Sequence, residues 1–207
     1  MKTLLKSVVA AAVFVAAGAA NAVPVTLTGV TLLAPASGIH GTLNGAPFSD
    51  GAGALRVDTI EKGSFVAFCV ELDAVLSPTY PVAYDYTTYT QDSVARVLAK
   101  YFGGGYSAAA TQAAIWEAIY DTIPGNLVAG NFTVDAPAGL ITETNSLLAA
   151  AGSLVAGQYD PNSMRVLKNA RYQDLVTVVP EPSTYALLLA GLTGIGFVAR
   201  RRTQERG

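Results

Sequence analysis

Ser64-Phe65-Val66-Ala67-Phe68-Cys69-Val70-Glu71-Leu72 is the stretch on which the fold turns. Side chains alternate across a strand, so Val66, Phe68, Val70 and Leu72 share one side and Phe65, Ala67 and Cys69 the other. Both sides are mostly apolar, the pattern of a central strand covered on two faces. Such a strand needs neighbours, and the flanking sequence offers them. Val25 to Leu33 alternates Val and Leu with Thr. Asn44-Gly45 and Asp50-Gly51 are turn signals that set off short strands over 38–43 and 53–59. Glu61-Lys62-Gly63 then turns the chain into the central strand.

Beyond Leu72 lies an irregular stretch carrying Tyr80, Tyr84, Tyr86 and Tyr89, with room for one short strand. Thr90 or Asp92 caps a helix with Val94, Val97, Leu98 and Tyr101 on one face, stopped by Gly103-Gly104-Gly105. Ser107 caps a second helix running to about Asp121, ended by Pro124-Gly125. A third is expected near Leu140 to Ala151, and Met164 to Leu167 and Asp174 to Val178 read as closing strands. Strands, then helices, then strands make an α+β chain.

The two ends read as addresses. Lys2 and Lys6 precede an apolar run closed by Ala20-Asn21-Ala22, the order of a secretory signal peptide over residues 1–22. At the other end Pro180-Glu181-Pro182 leads into Ser183 to Ala199, 17 mostly apolar residues, and then Arg200-Arg201-Arg202. That length is at the short limit for a membrane-spanning helix. The arginines hold their end in the cytoplasm, which places residues 23–179 outside as one exported domain. The Pro-Glu-Pro triplet, the glycine-bearing span and the basic cluster of segment 180–207 resemble the PEP-CTERM sorting signal of Gram-negative bacteria. The resemblance implies handling by an exosortase at the membrane, then delivery to the cell surface or its exopolysaccharide matrix. The alternative is a permanent C-terminal anchor.

Within 23–179 seven basic side chains face thirteen acidic ones. A surface of that sign repels phosphate backbones, so nucleic acid is not an expected partner. The chain has one cysteine, Cys69, and one histidine, His40, too few for a disulfide framework or a Cys/His zinc site. No metal or cofactor is expected.

Two residues of the exported domain ask for a chemical explanation. From Gln112, the positions i+3, i+4, i+7 and i+8 are Ile115, Trp116, Ile119 and Tyr120, so a polar amide shares the apolar stripe of the second helix. Burying an amide without partners costs about 1–3 kcal/mol. Cys69 meanwhile sits on the central strand, in an oxidising compartment and with no second cysteine. If sulfur and carboxamide meet, the thiol can attack the amide, expel ammonia and leave an internal thioester, because orientation supplies an effective molarity of roughly 10⁵–10⁸ M.

Phe68-Cys69-Val70 together with Thr111-Gln112-Ala113-Ala114-Ile115-Trp116 resembles the Cys-Gln thioester domain of bacterial surface adhesins. The resemblance spans roughly 60–178 and implies a β-rich core with a packed helical part. It makes Cys69 the thiol and Gln112 the acyl donor, with Phe68, Thr111, Ile115 and Trp116 as motif neighbours. The expected activity is one-shot covalent attachment to an amine or hydroxyl on a surface or polymer, without enzymatic turnover. The separation of 43 residues between Cys69 and Gln112 is shorter than in the Gram-positive adhesins.

Other readings stand beside this one. Cys69 can be an inert core residue of a non-covalent structural or carbohydrate-binding matrix protein, with the tyrosines as a glycan platform. A cysteine hydrolase would need His40 as its base. Glu71 and Asp73 share a strand face and could hold Ca²⁺, although the spacing of known calcium loops is missing. Glu117 and Asp121 are expected to be solvated on the outer face of the second helix.

Overall fold

The computed structural model describes residues 22–72, 74–121, 125–178 and 191–193. Residues 1–21, Asp73, the Pro180-Glu181-Pro182 triplet, most of the expected span and Arg200-Arg201-Arg202 lie outside the described residues.

Among residues 22–178 that are described, nine strands and three α-helices follow in the order β1 (Val23–Leu32), β2 (Ser37–Leu43), β3 (Ala46–Ala52), β4 (Leu55–Thr59), β5 (Gly63–Cys69), β6 (Val82–Thr88), α1 (Asp92–Phe102), α2 (Ala108–Tyr120), β7 (Phe132–Asp135), α3 (Ala138–Gly152), β8 (Met164–Lys168) and β9 (Leu175–Val178). Six of the strands close a barrel in the order β1-β4-β5-β9-β8-β6, and the other three form a sheet ordered β3-β2-β7. The β-rich core with a packed helical part is therefore present, built as a barrel.

The central strand is β5, with β4 on one edge and β9 on the other. Its alternation works as the sequence dictates. Phe65, Ala67 and Cys69 turn into the barrel with Val25, Leu27, Val57 and Leu175, while Val66, Phe68 and Val70 turn outward against the helices. Phe68 is fully buried there with Leu98, Ile115 and Leu148, its ring edge-on to Tyr101 at 5.0 Å. This interface joins barrel to helical layer, and burying such a ring is worth about 1.5–3 kcal/mol.

The second sheet was not expected. Asn44 and Gly45 both take positive φ, +52° and +79°, and make the tight β2–β3 turn that this dipeptide favours. Asp50-Gly51, read as a second turn, instead continues β3, opposite Ile39 and Gly38. The three-stranded sheet covers the other side of α2, around Ile39, Ala52, Trp116, Leu127 and Phe132.

Ser107 caps α2, its hydroxyl accepting the Ala110 N–H at 3.2 Å, as expected from sequence. Clamped between α1, α3 and the second sheet, α2 is buried from Ala109 to Ala118. Glu117 is consequently 1% exposed, which overturns its expected place on a wet face. For the tyrosines of β6 the sequence leaves a surface platform and strand packing both open, and burial decides between them. Tyr84 and Tyr86 point into the barrel and are buried, so they form no surface platform.

Candidate functional site

Cys69 is the last residue of β5, and its backbone decides the geometry of the site. Ala67 pairs with Leu55, the first residue of β4, while the Val70 N–H reaches the Asp174 carbonyl on the opposite edge at 3.0 Å. Backbone groups alternate between edges along an antiparallel strand. The N–H and C=O of Cys69 therefore face the β4 side, one step beyond the point where β4 begins.

Gln112 fills that place. Its Oε1 accepts the Cys69 N–H at 2.8 Å, and its Nε2 donates to the Cys69 carbonyl at 2.9 Å. The carboxamide thus stands in for the missing peptide unit and extends the ladder by one rung. Gln112 is 0% exposed, so both bonds are sheltered from water. The demand of a buried amide for partners is met by the backbone of Cys69.

The Cys69 thiol lies among two core clusters, the barrel interior and the second-sheet core. It also lines a cleft of about 380 Å³ at the barrel end, together with Leu32, Asp50, Leu55, Leu72 and Gln173. Burial first, then the negative charges of Asp50 and Glu71, push the thiol up to about 12. Burial and these charges favour the neutral thiol over the thiolate wherever the sulfur is unbonded.

The remaining motif residues support this pair from several sides. Thr111 bonds back to the Ser107 carbonyl within its own helix at 2.8 Å. Ile115 packs with Phe68 against the barrel, whereas Trp116 packs in the second-sheet core 6.5 Å from the Phe132 ring. Asp50 and Gln173 were missed from sequence. Gln173 braces the segment after β5, its Nε2 donating to the Glu71 carbonyl at 2.9 Å and its N–H to the Val75 carbonyl at 3.0 Å.

His40 is exposed, and it neighbours Ile39, whose side chain is buried on the inner face of the second sheet. Alternation puts His40 on the outer face, away from the cleft, and the structure does not join it to Cys69. Glu71 uses its carboxylate on the Asp174 N–H at 3.1 Å. Among the described residues no group of three His, Cys, Asp or Glu side chains could hold a metal ion, and no helix is long and apolar enough to cross a membrane.

With the geometry in place, comparison with known proteins adds an address. Residues 178–202 match the PEP-CTERM protein-sorting motif. The match takes in Pro180, Glu181, Pro182 and the three arginines, and it marks an exported protein that is sorted by an exosortase. No curated protein and no solved structure matches the chain. Nothing matched covers the barrel, the helices or the Cys69–Gln112 pair.

Glu117 lies five residues beyond Gln112 in α2 and carries a pH-dependent cost. Its Oε1 accepts the Asn126 N–H at 2.9 Å, while Oε2 is buried without a hydrogen bond. Burial raises its pKa from 4.5 to about 7, the Asn126 bond opposing and the Asp121 charge adding to the rise. A carboxyl with a raised folded-state pKa favours the fold while protonated, and stability falls as pH climbs from about 4.5 through about 7. Glu117→Gln should therefore gain on the wild type by about 1–3 kcal/mol between pH 5 and pH 8. Urea unfolding at both pH values checks this; a constant difference would place Glu117 in water.

Proposed function

We propose that the exported domain, residues 23–179, forms an internal thioester between Cys69 Sγ and Gln112 Cδ and uses it once, for covalent attachment to an amine or hydroxyl at the cell surface or in its matrix. The observation that carries this reading is the two-point grip of the Gln112 carboxamide on the backbone of Cys69. It holds the amide beside the residue whose sulfur would attack it. The Cys69 N–H also points at the oxygen on which negative charge would build during attack at Cδ, which is how an oxyanion is stabilised.

Formation has a cost. Loss of ammonia removes the donor to the Cys69 carbonyl and leaves only the N–H···Oε1 bond. An unpaired carbonyl is tolerated better than an unpaired N–H. The bond, once made, would be sheltered by the cores on either side of the cysteine.

The same two hydrogen bonds favour a second reading, in which Gln112 is a structural clamp, Cys69 is inert and the protein is a non-covalent matrix component. Intact mass of the exported chain separates the two. The thioester reading expects a mass lower by one ammonia, raised again by methylamine added at Gln112, with both effects absent in Cys69→Ala. A wild-type chain at full mass with an alkylatable Cys69 leaves the clamp.

A further inference from the structure

We propose that Asp50 is the proton-transfer group of the Cys69–Gln112 pair, taking the thiol proton and returning it within the cleft at the barrel end. The inference rests on the thioester reading above. Along β3, Phe48, Asp50 and Ala52 alternate onto the covered face of the second sheet, where Phe48 stacks on Phe132 at 5.3 Å and Ala52 is buried. Asp50 is thereby carried onto the side that faces α2, half-buried, and it lines the same cleft as Cys69. One of its oxygens accepts the Gly51 N–H at 2.6 Å, and the other, Oδ2, has no hydrogen bond among the described residues.

The Gly51 N–H bonded by Asp50 could be met equally by a neutral side-chain oxygen. The other cleft residues include Leu32, Leu55, Leu72 and Val75, an apolar rim that disfavours a charge. Burial raises the Asp50 carboxyl above its ordinary value, with the Gly51 bond opposing, and this brings it closer to the range useful for proton exchange. Glu71, the other acid whose charge reaches Cys69, is tied to the Asp174 N–H.

The chemistry needs such a group. A thiol held at about 12 neither attacks nor leaves well as a free thiolate. In formation, the Asp50 carboxylate takes the proton from Sγ as the S–C bond forms at Cδ of Gln112. It then gives that proton to Nε2 as the C–N bond breaks and ammonia departs. In opening by an amine, the amine nitrogen bonds to Cδ, Asp50 takes the nitrogen's proton, and Sγ receives it as the S–C bond breaks. Asp50 ends each cycle as it began.

The test follows ammonia loss by intact mass after the full chain is refolded. Fluorescence of Trp116, the chain's single tryptophan, reports folding separately. Asp50→Asn keeps an oxygen for the Gly51 N–H and so guards the fold, while Asp50→Ala opens space for an added acid. Both should lose ammonia about 10²–10⁴-fold more slowly than the wild type once folded. Formate should restore much of the rate to Asp50→Ala and none to a merely structural variant. Wild-type ammonia loss with either folded variant within threefold of it overturns the role of Asp50 alone. A wild-type chain that never loses ammonia overturns the thioester reading, and this role with it.

Discussion

Gln112→Leu is expected to cost about 2–5 kcal/mol of folding stability, more than any change at Cys69, because it strands two backbone groups at once. Leucine fills nearly the same volume, so a cavity is not the cause. What is lost is the pair of bonds to the N–H and C=O of Cys69, at a point where β4 has not yet begun and Gln112 is fully buried. Each orphaned group carries a penalty of about 1–3 kcal/mol. Cys69→Ala keeps both backbone groups and both bonds, and loses only a half-buried sulfur, about 1 kcal/mol. Where the thioester has formed, Cys69→Ala also removes a cross-link spanning 43 residues, and its cost rises to about 5 kcal/mol. In that state Gln112→Leu loses the same cross-link and the N–H bond besides, so the order is kept. Urea unfolding of both variants, with mass recorded on each sample, checks it. A larger loss at Cys69 than at Gln112 would mean that the carboxamide does not hold the end of the strand.

The central strand and the inward amide were both legible from sequence, since each follows from a short period in side-chain polarity. Phe68 and Cys69 face opposite ways because strand geometry leaves no other choice. Gln112 points inward because its i+3 and i+4 neighbours are Ile115 and Trp116. What periodicity could not supply was the partner, which proved to be the backbone N–H and C=O of Cys69. The second sheet was hidden for a related reason. β7 has four residues and pairs with a strand about ninety positions earlier, and β3 contains an Asp-Gly that locally reads as a turn. Long-range pairing overrode that local signal, and Asp50 was lost with it. Glu117 reads as wet only on an amphipathic helix, and α2 is not one. The alanines at 108, 109, 110, 113, 114 and 118 lie around the whole of α2 and let three elements approach it, a sign that the helix has no wet face.

Gly41→Ala tests the sheet that carries Asp50. Gly41 sits in β2, the middle strand, opposite Phe48 on β3 and Val134 on β7. A Cβ there would land on the Thr133 carbonyl oxygen and within 2.9 Å of the Phe48 ring. The obstacle is backbone, so no rotamer change relieves it, and the two strands must part. Parting them breaks the β2–β7 ladder and the Thr42–Thr133 side-chain bond at 2.8 Å, and loosens Phe132 and Val134 beneath α2. The expected loss is about 3–5 kcal/mol, in the range of the largest single-site effects. It should be local before it is global, because the barrel closes through β1 and β6 without help from this sheet. Hydrogen exchange should show amides of β2 and β7 opening at lower free energy than those of β1 and β4. The same loosening moves Asp50 and opens one wall of the cleft, so Cys69 in a full-mass chain should alkylate faster in Gly41→Ala than in the wild type. Wild-type protection across β2 and β7 in the alanine variant would mean that the strands do not approach as closely as the glycine requires, and the cleft would then lose the wall that brings a carboxylate to the thiol.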